Sequence, residues 1–174
     1  MPDWFPVSGY ASTDDLDRVR DVVVPTAFIK ALSDRGIRGP RGIKLLWQHE
    51  HSNVLGRITK LEVRNKGLWM EAEIDRDISF ANDVILAIEA QEGLSFSIGY
   101  RIIEGFLIEP PDGEYYLELT ELDLFEVSVV VIPCNESAQI DVYGDKAKPQ
   151  AANATLNGMI AQLQQFNRRL DKTS

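Results

Sequence analysis

Two histidines occur in the 174 residues, and they stand two apart, in Trp47-Gln-His-Glu-His51. Positions i and i+2 of an extended strand share a face, so both rings are expected to point the same way. Such a pair serves either a metal site or a general base with a neighbour. A metal site needs a third and fourth ligand; with no further histidine and a distant Cys134, those would be carboxylates such as Glu50 or Glu126. The plainer alternative is two surface histidines at a strand end. In Leu94-Ser-Phe-Ser-Ile-Gly-Tyr100, the large residues 94, 96, 98 and 100 fall on one face and Ser95, Ser97 and Gly99 on the other. A face of hydroxyls and glycine leaves room for another group to approach the backbone. A serine becomes a nucleophile when a base removes its proton, and His49 and His51 are the imidazoles available. The plainer alternative here is small residues facing solvent.

The third feature is Leu122-Asp-Leu-Phe-Glu-Val-Ser-Val-Val-Val-Ile-Pro133, whose even positions carry Leu, Leu, Glu, Ser, Val and Ile. Glu126 is thus a carboxylate on an apolar stripe. Burying it unpaired is expensive, so it needs a hydrogen-bonded or charged partner. A histidine suits, because a carboxylate holds the imidazole tautomer and stabilises its cation. Arg57 or Arg101 would serve equally as a structural ion pair.

The elements that must position these residues are mostly strands. Val7–Ala11 is a short strand candidate, followed by an acidic turn at Ser12–Asp17. Pro25, then Phe28, Ile29 and Leu32 at helical spacing, predict a short amphipathic helix that Gly36 ends. Ile43–His49 and Val54–Val63 read as strands joined by a turn near Ser52-Asn53. Asn65-Lys-Gly67 is a hairpin signal before Leu68–Ile74, where Leu68, Met70, Ala72 and Ile74 alternate with Trp69, Glu71 and Glu73. A helix is expected over Ser79–Ala90 with Ser79 as N-cap. Strands follow at Leu94–Ile103 and within Tyr115–Ile132, the second ended by Pro133. From about Gly144 the composition becomes that of a linker, and Leu156, Met159, Ile160, Leu163, Phe166 and Leu170 mark one face of a last amphipathic helix. The expected division is 1–143 for the domain and 144–174 for linker and helix.

Composition narrows the classes of function. Hydrophobic residues at 44% and charged residues at 26% describe an ordinary globular chain, not a disordered, collagenous or disulfide-framed one. The net charge of −9 repels phosphate, so neither nucleic acid nor an anionic membrane is an expected ligand. One cysteine precludes an internal disulfide and fits a reducing compartment. No stretch approaches the roughly 18 apolar residues of a membrane helix, and the start Met-Pro-Asp-Trp lacks a signal peptide's regions. A soluble, intracellular protein is the expectation.

The order of the blocks carries more than any one of them. Gly9-Tyr-Ala-Ser, Asp21-Val-Val-Val-Pro-Thr-Ala-Phe28, Leu46-Trp-Gln-His49 and Gly56-Arg-Ile58 are followed by Gly93-Leu-Ser-Phe-Ser-Ile-Gly-Tyr100, then Leu124-Phe-Glu-Val-Ser-Val-Val-Val-Ile-Pro133 and Ala138. Over residues 7–142 the chain resembles the prohead maturation protease family of tailed bacteriophages. The resemblance implies a mainly β fold with peripheral helices (α+β) around a β-barrel core similar to herpesvirus assemblin. It implies a serine endopeptidase that needs no cofactor or metal and works inside the immature capsid in the bacterial cytoplasm. Its expected substrates are a scaffold protein or the major capsid protein's scaffolding segment, and itself; a homodimer is expected by analogy.

Carried over by position, Ser97 matches the nucleophile and His49 the general base, with Glu126 as orienting acid. Ser95 is an alternative nucleophile and His51 an alternative base; Asp123 or a second histidine could replace Glu126. Arg101 and Arg57 are candidates for supporting the oxyanion. Thr26 departs from the family's usual glycine, and Cys134 from its common alanine. Two other readings accompany this one: a non-enzymatic capsid-interior or scaffold protein of the same fold, and a metal-dependent hydrolase using both histidines.

Overall fold

The computed structural model describes residues 3–141, apart from 91, 92 and 112. Its strands are β1 (Trp4–Thr13), β2 (Asp21–Val23), β3 (Lys44–Trp47), β4 (Glu50–Arg64), β5 (Gly67–Asp75), β6 (Ser95–Ile108), β7 (Tyr116–Val130) and β8 (Ile140–Asp141). The helices are α1 (Ile29–Arg35), entered through a 3-10 turn at Pro25–Phe28, and α2 (Ala81–Glu89). The architecture is mainly β with two helices, as the sequence led us to expect.

One curled sheet holds all eight strands, in the order β2-β7-β3-β4-β5-β1-β8, with β6 on the other edge of β7. Strand β7 organises the sheet. It runs antiparallel to β6 from Ser95↔Val130 to Ile108↔Tyr116, and takes β2 and β3 parallel, β2 at Leu117–Leu119 and β3 at Glu126–Val129. Parallel neighbours need a crossover connection. Between β3 and β7 it runs through β4, β5, α2 and β6; the 3-10 turn and α1, whose Phe28 and Ala31 are buried in the core, join β2 to β3 along one edge of β7. The margins of the sheet meet, since Ser95 bridges Gln139 and the Phe96 N–H donates to Ala138 O at 2.7 Å. The core lies inside the curl, among Leu55, Met70, Ile74, Phe96, Leu124 and Val127. Among the described residues no helix is long and apolar enough to cross a membrane.

The alternation expected in β5 is present, with Leu68, Met70, Ala72 and Ile74 buried. Trp69, on the opposite face, is covered too, by the Arg64 guanidinium at 4.2 Å and the edge of Tyr10. Asn65-Lys66 forms the expected two-residue hairpin, with Arg64 paired to Gly67.

Three local expectations change. The turn between β3 and β4 lies at Gln48-His49, because Trp47 pairs with Glu50; Ser52 and Asn53 are within β4. Helix α2 begins without a side-chain cap, after Phe80 rather than Ser79, since the Ala81 N–H is already bonded to Ile78 O in a turn. Strand β6 continues to Ile108, beyond the expected Ile103, as the ladder to β7 keeps its backbone paired. The last helix expected over Leu156–Leu170, and the boundary at 143/144, lie outside the described residues.

Candidate active site

The site is built around three strands of the sheet. The ladder places Ser97 directly opposite Ser128 and Gly99 opposite Glu126. Paired residues share a face, so Ser97, Gly99, Glu126 and Ser128 form one polar patch. On the far side of β7, Trp47 pairs with Val129, and the chain turns back immediately after it.

That turn brings the imidazole in. Gln48 has φ 55° and His49 φ 60°, so both central residues of a two-residue hairpin are left-handed, as in a type I′ turn. Asn-Gly is the usual occupant; two non-glycine residues here store backbone strain. Three contacts hold them. The Gln48 N–H donates to Val129 O at 3.0 Å and the His49 N–H to Ser128 Oγ at 3.0 Å. His49 Nδ1 lies 2.6 Å from Glu126 Oε1. The shared strand face expected for His49 and His51 is therefore not what forms. A turn residue does not follow the strand's period, and His51 is an exposed residue of β4.

Glu126 is 3% exposed, and both its oxygens are engaged. Oε1 meets His49, and Oε2 accepts from the Ser128 hydroxyl at 2.7 Å. A β-carbon at Gly99 would collide with Oε1, so the glycine makes the space this carboxylate occupies. The Glu126 hydrogen bond, and after it the opposition of burial, leave the His49 pKa raised above its ordinary value. A carboxylate on Nδ1 fixes the tautomer and leaves Nε2 to exchange protons.

His49 and Ser97 line a common cavity of about 200 Å³, together with Asp17, Asp21, Tyr100 and Cys134. Ser97 is 6% exposed, and its hydroxyl makes no hydrogen bond to any described residue. Ser95, on the same strand face, is buried opposite Val130 and does not line this cavity.

The remaining candidates lie elsewhere. Arg57 pairs with Glu73 at 2.7 Å and stacks over Trp4. Arg101 does not line the Ser97 cavity; it lies beyond a bulge at which β7 carries an extra residue, Phe125, between the partners of Gly99 and Tyr100. It pairs with Asp123 beside Arg35, in a separate cleft of about 320 Å³. Asp123 is held by Arg35, which lowers its pKa, and it does not reach His49. Among the described residues no three His, Cys, Asp or Glu side chains are grouped to hold a metal ion. Ser128 is a site residue that the sequence did not mark out, whereas Gly99, expected to leave room for an approaching group, gives that room to Glu126. The spacing Glu126-Val-Ser128 is the signal that could have found the serine, since it puts the hydroxyl beside the carboxylate.

The chain is similar to several known proteins. The chain is 28% identical over 138 residues to the prohead protease of Escherichia phage T5, covering 78% of this chain and 61% of that protein. It is 29% identical over 140 residues to the capsid polyprotein of Pseudomonas phage PAJU2, covering 77% of this chain and 19% of the polyprotein. The chain thus spans less than two thirds of either relative. Among solved structures, KSHV protease in complex with a hexapeptide phosphonate inhibitor superposes with a TM-score of 0.47 at 8% identity, over 92% of this chain and 77% of that one. The bacteriophage T4 capsid assembly protease gives 0.48 at 14% identity, over 72% and 80%. The pattern of the Caudovirus prohead serine proteases matches residues 4–153, a span that contains every strand of the sheet and the whole cavity, and the chain belongs to that family of peptidases.

Proposed function

We propose that this chain is a serine endopeptidase of phage capsid maturation, with Ser97 as nucleophile, His49 as general base and Glu126 as the acid that orients it. The observation that carries the reading is the 2.6 Å contact of His49 Nδ1 with the buried Glu126, on the wall of the cavity that also holds the unbonded Ser97 hydroxyl. His49 Nε2 takes the Ser97 proton as Oγ bonds to the scissile carbonyl carbon. The same proton passes to the departing amine as the peptide C–N bond breaks. Water, deprotonated by His49, then releases the acyl group and restores Ser97.

The substrate we propose is the scaffolding segment of the major capsid protein or a separate scaffold protein, and this chain itself, within the immature capsid. Similarity to a capsid polyprotein supports association with capsid protein. A homodimer and a division into a domain of 1–143 and a tail of 144–174 belong to the same proposal.

Intact-mass analysis of the capsid or scaffold protein co-expressed with this chain tests the assignment. Wild type is expected to shorten it, Ser97→Ala to leave it whole, with a loss of several orders of magnitude in rate, and Ser95→Ala to keep cutting. Equal cutting by wild type and Ser97→Ala would remove Ser97 from its role. No cutting by wild type in assembling capsids would favour the non-enzymatic reading.

A further inference from the structure

The cavity beside His49 has two kinds of wall. Ala11, Val23 and Ile98 are apolar, and Asp17 and Asp21 bring carboxylates to the same space. Neither carboxylate has an ion-pair partner among the described residues. The nearest arginines in sequence are occupied, Arg18 by Glu136 at 2.7 Å and Arg20 by Glu114 at 2.8 Å. Asp17 Oδ1 accepts from the N–H groups of Val19 and Asp21, and Oδ2 faces the Cys134 thiol at 3.1 Å. Asp21 Oδ2 has one long contact, from Tyr100 OH at 3.4 Å. Burial, then the charge of Asp17, raise the Asp21 pKa, the response of a carboxylate that lacks a cation. Independently of the acids, Ser97, a residue 6% exposed, lines this cavity and its hydroxyl has no partner among the described residues. A hydroxyl left unbonded at the wall of a cavity has its donor and acceptor free for a ligand.

We propose that this cavity is the subsite for a lysine or arginine side chain of the substrate, at a residue flanking the scissile bond. The inference rests on Ser97 as nucleophile and names the substrate class for that site. The methylenes lie against Ala11, Val23 and Ile98, as such stems do on apolar surface, and the cation reaches Asp17 and Asp21. A volume of about 200 Å³ accommodates one long side chain. An acidic side chain meets two like charges there, and a neutral one leaves both carboxylates without a cation; either penalty discriminates against the wrong residue.

Two measurements on the full chain separate this inference from the catalytic reading. In the first, n-pentylamine stands in for the lysine side chain and n-pentanol for a neutral one of equal length, each titrated into Ser97→Ala and followed by NMR. The amine is expected to shift the methyl signals of Val23 and Ile98, with affinity at least about tenfold weaker in Ser97→Ala/Asp21→Asn, the scale of one charge-assisted contact. Absence of amine binding, equal binding of the alcohol, or indifference to both Asp17→Asn and Asp21→Asn would overturn the subsite.

In the second, wild type digests a peptide mixture containing lysine, arginine, norleucine and glutamate at every position, and cut sites are read by mass. Cleavage is expected next to lysine or arginine, with the preference over norleucine collapsing about tenfold in Asp21→Asn. Ser97-dependent cutting with no basic residue beside the bond would overturn the subsite and leave the protease standing. Amine binding without any Ser97-dependent cutting would overturn the catalytic reading and, with it, the cavity's role as a subsite.

Discussion

Glu126 occupies an apolar strand at 3% exposure because both of its oxygens are bonded, one to His49 and one to Ser128. The bond to His49 raises that imidazole's pKa. For a group raised in the fold, the contribution to stability is complete below its ordinary value, near 6.5, and is lost as pH rises through the folded value. A general base must be neutral, so activity rises over that same interval. The rate profile is expected to have its lower limb centred above 6.5, and Glu126→Gln to move that limb down while reducing kcat about 10²- to 10⁴-fold. A limb unmoved by Glu126→Gln would detach the carboxylate from the base. Gly99→Ala tests the same pair sterically, because the new methyl collides with Oε1. It is expected to lower kcat about 100-fold, the effect of a misplacement of order 1 Å, with the far-UV circular dichroism unchanged.

Among the elements, the β3–β4 hairpin carries the most constraint. Its left-handed Gln48 and His49 are held by Val129 O and Ser128 Oγ, so the base depends on β7 for both its backbone and its side chain. Ser128→Ala removes the acceptor for the His49 N–H and the donor to Glu126. It is expected to destabilise by about 1–3 kcal/mol and to reduce activity as well; urea unfolding beside the peptidase assay reads both, and a loss of stability alone would make Ser128 merely structural. Strand β4 owes its close approach to β5 to Gly56, where a β-carbon would meet the backbone oxygen of Glu73. Gly56→Ala is expected to lower stability by about 1–3 kcal/mol without altering the position of the pH limb.

At the scale of the molecule, the sheet joins its margins through β8 and the short run before it. Gly9 sits at the seam, with φ 151° and Gln139 O where a β-carbon would stand. Gly9→Ala therefore pushes β1 from the segment that pairs with β6, the strand of Ser97. A fall of several degrees in Tm is expected, at roughly 2–4 °C per kcal/mol for a chain of this size, together with reduced activity. Unaltered activity in a stably folded Gly9→Ala protein would show that closure does not position the site. The net charge of −9 acts at this scale too, and the two carboxylates of the cavity are its local expression beside Ser97.

Composition, period and block order by themselves determined the mainly β class, the alternating faces of β5, and the candidates Ser97, His49 and Glu126. Those properties are local: alternation is written in consecutive residues, and a carboxylate on an apolar stripe signals a partner before the partner is known. What tertiary structure decided was which groups meet. Residues 49 and 126 are far apart in sequence, and the parallel pairing of β3 with β7 brings them together. The left-handed turn that separates His49 from His51 has no glycine to announce it, because its strain is met by contacts from β7. The bulge at Phe125 shifts the β6–β7 register by one step, so Leu124 pairs with Tyr100 rather than continuing the phase of Glu126 with Gly99. Ser128 is ordinary in sequence, and the room that Gly99 leaves has no occupant there; they become the bond and the space that Glu126 needs once β6 and β7 are paired.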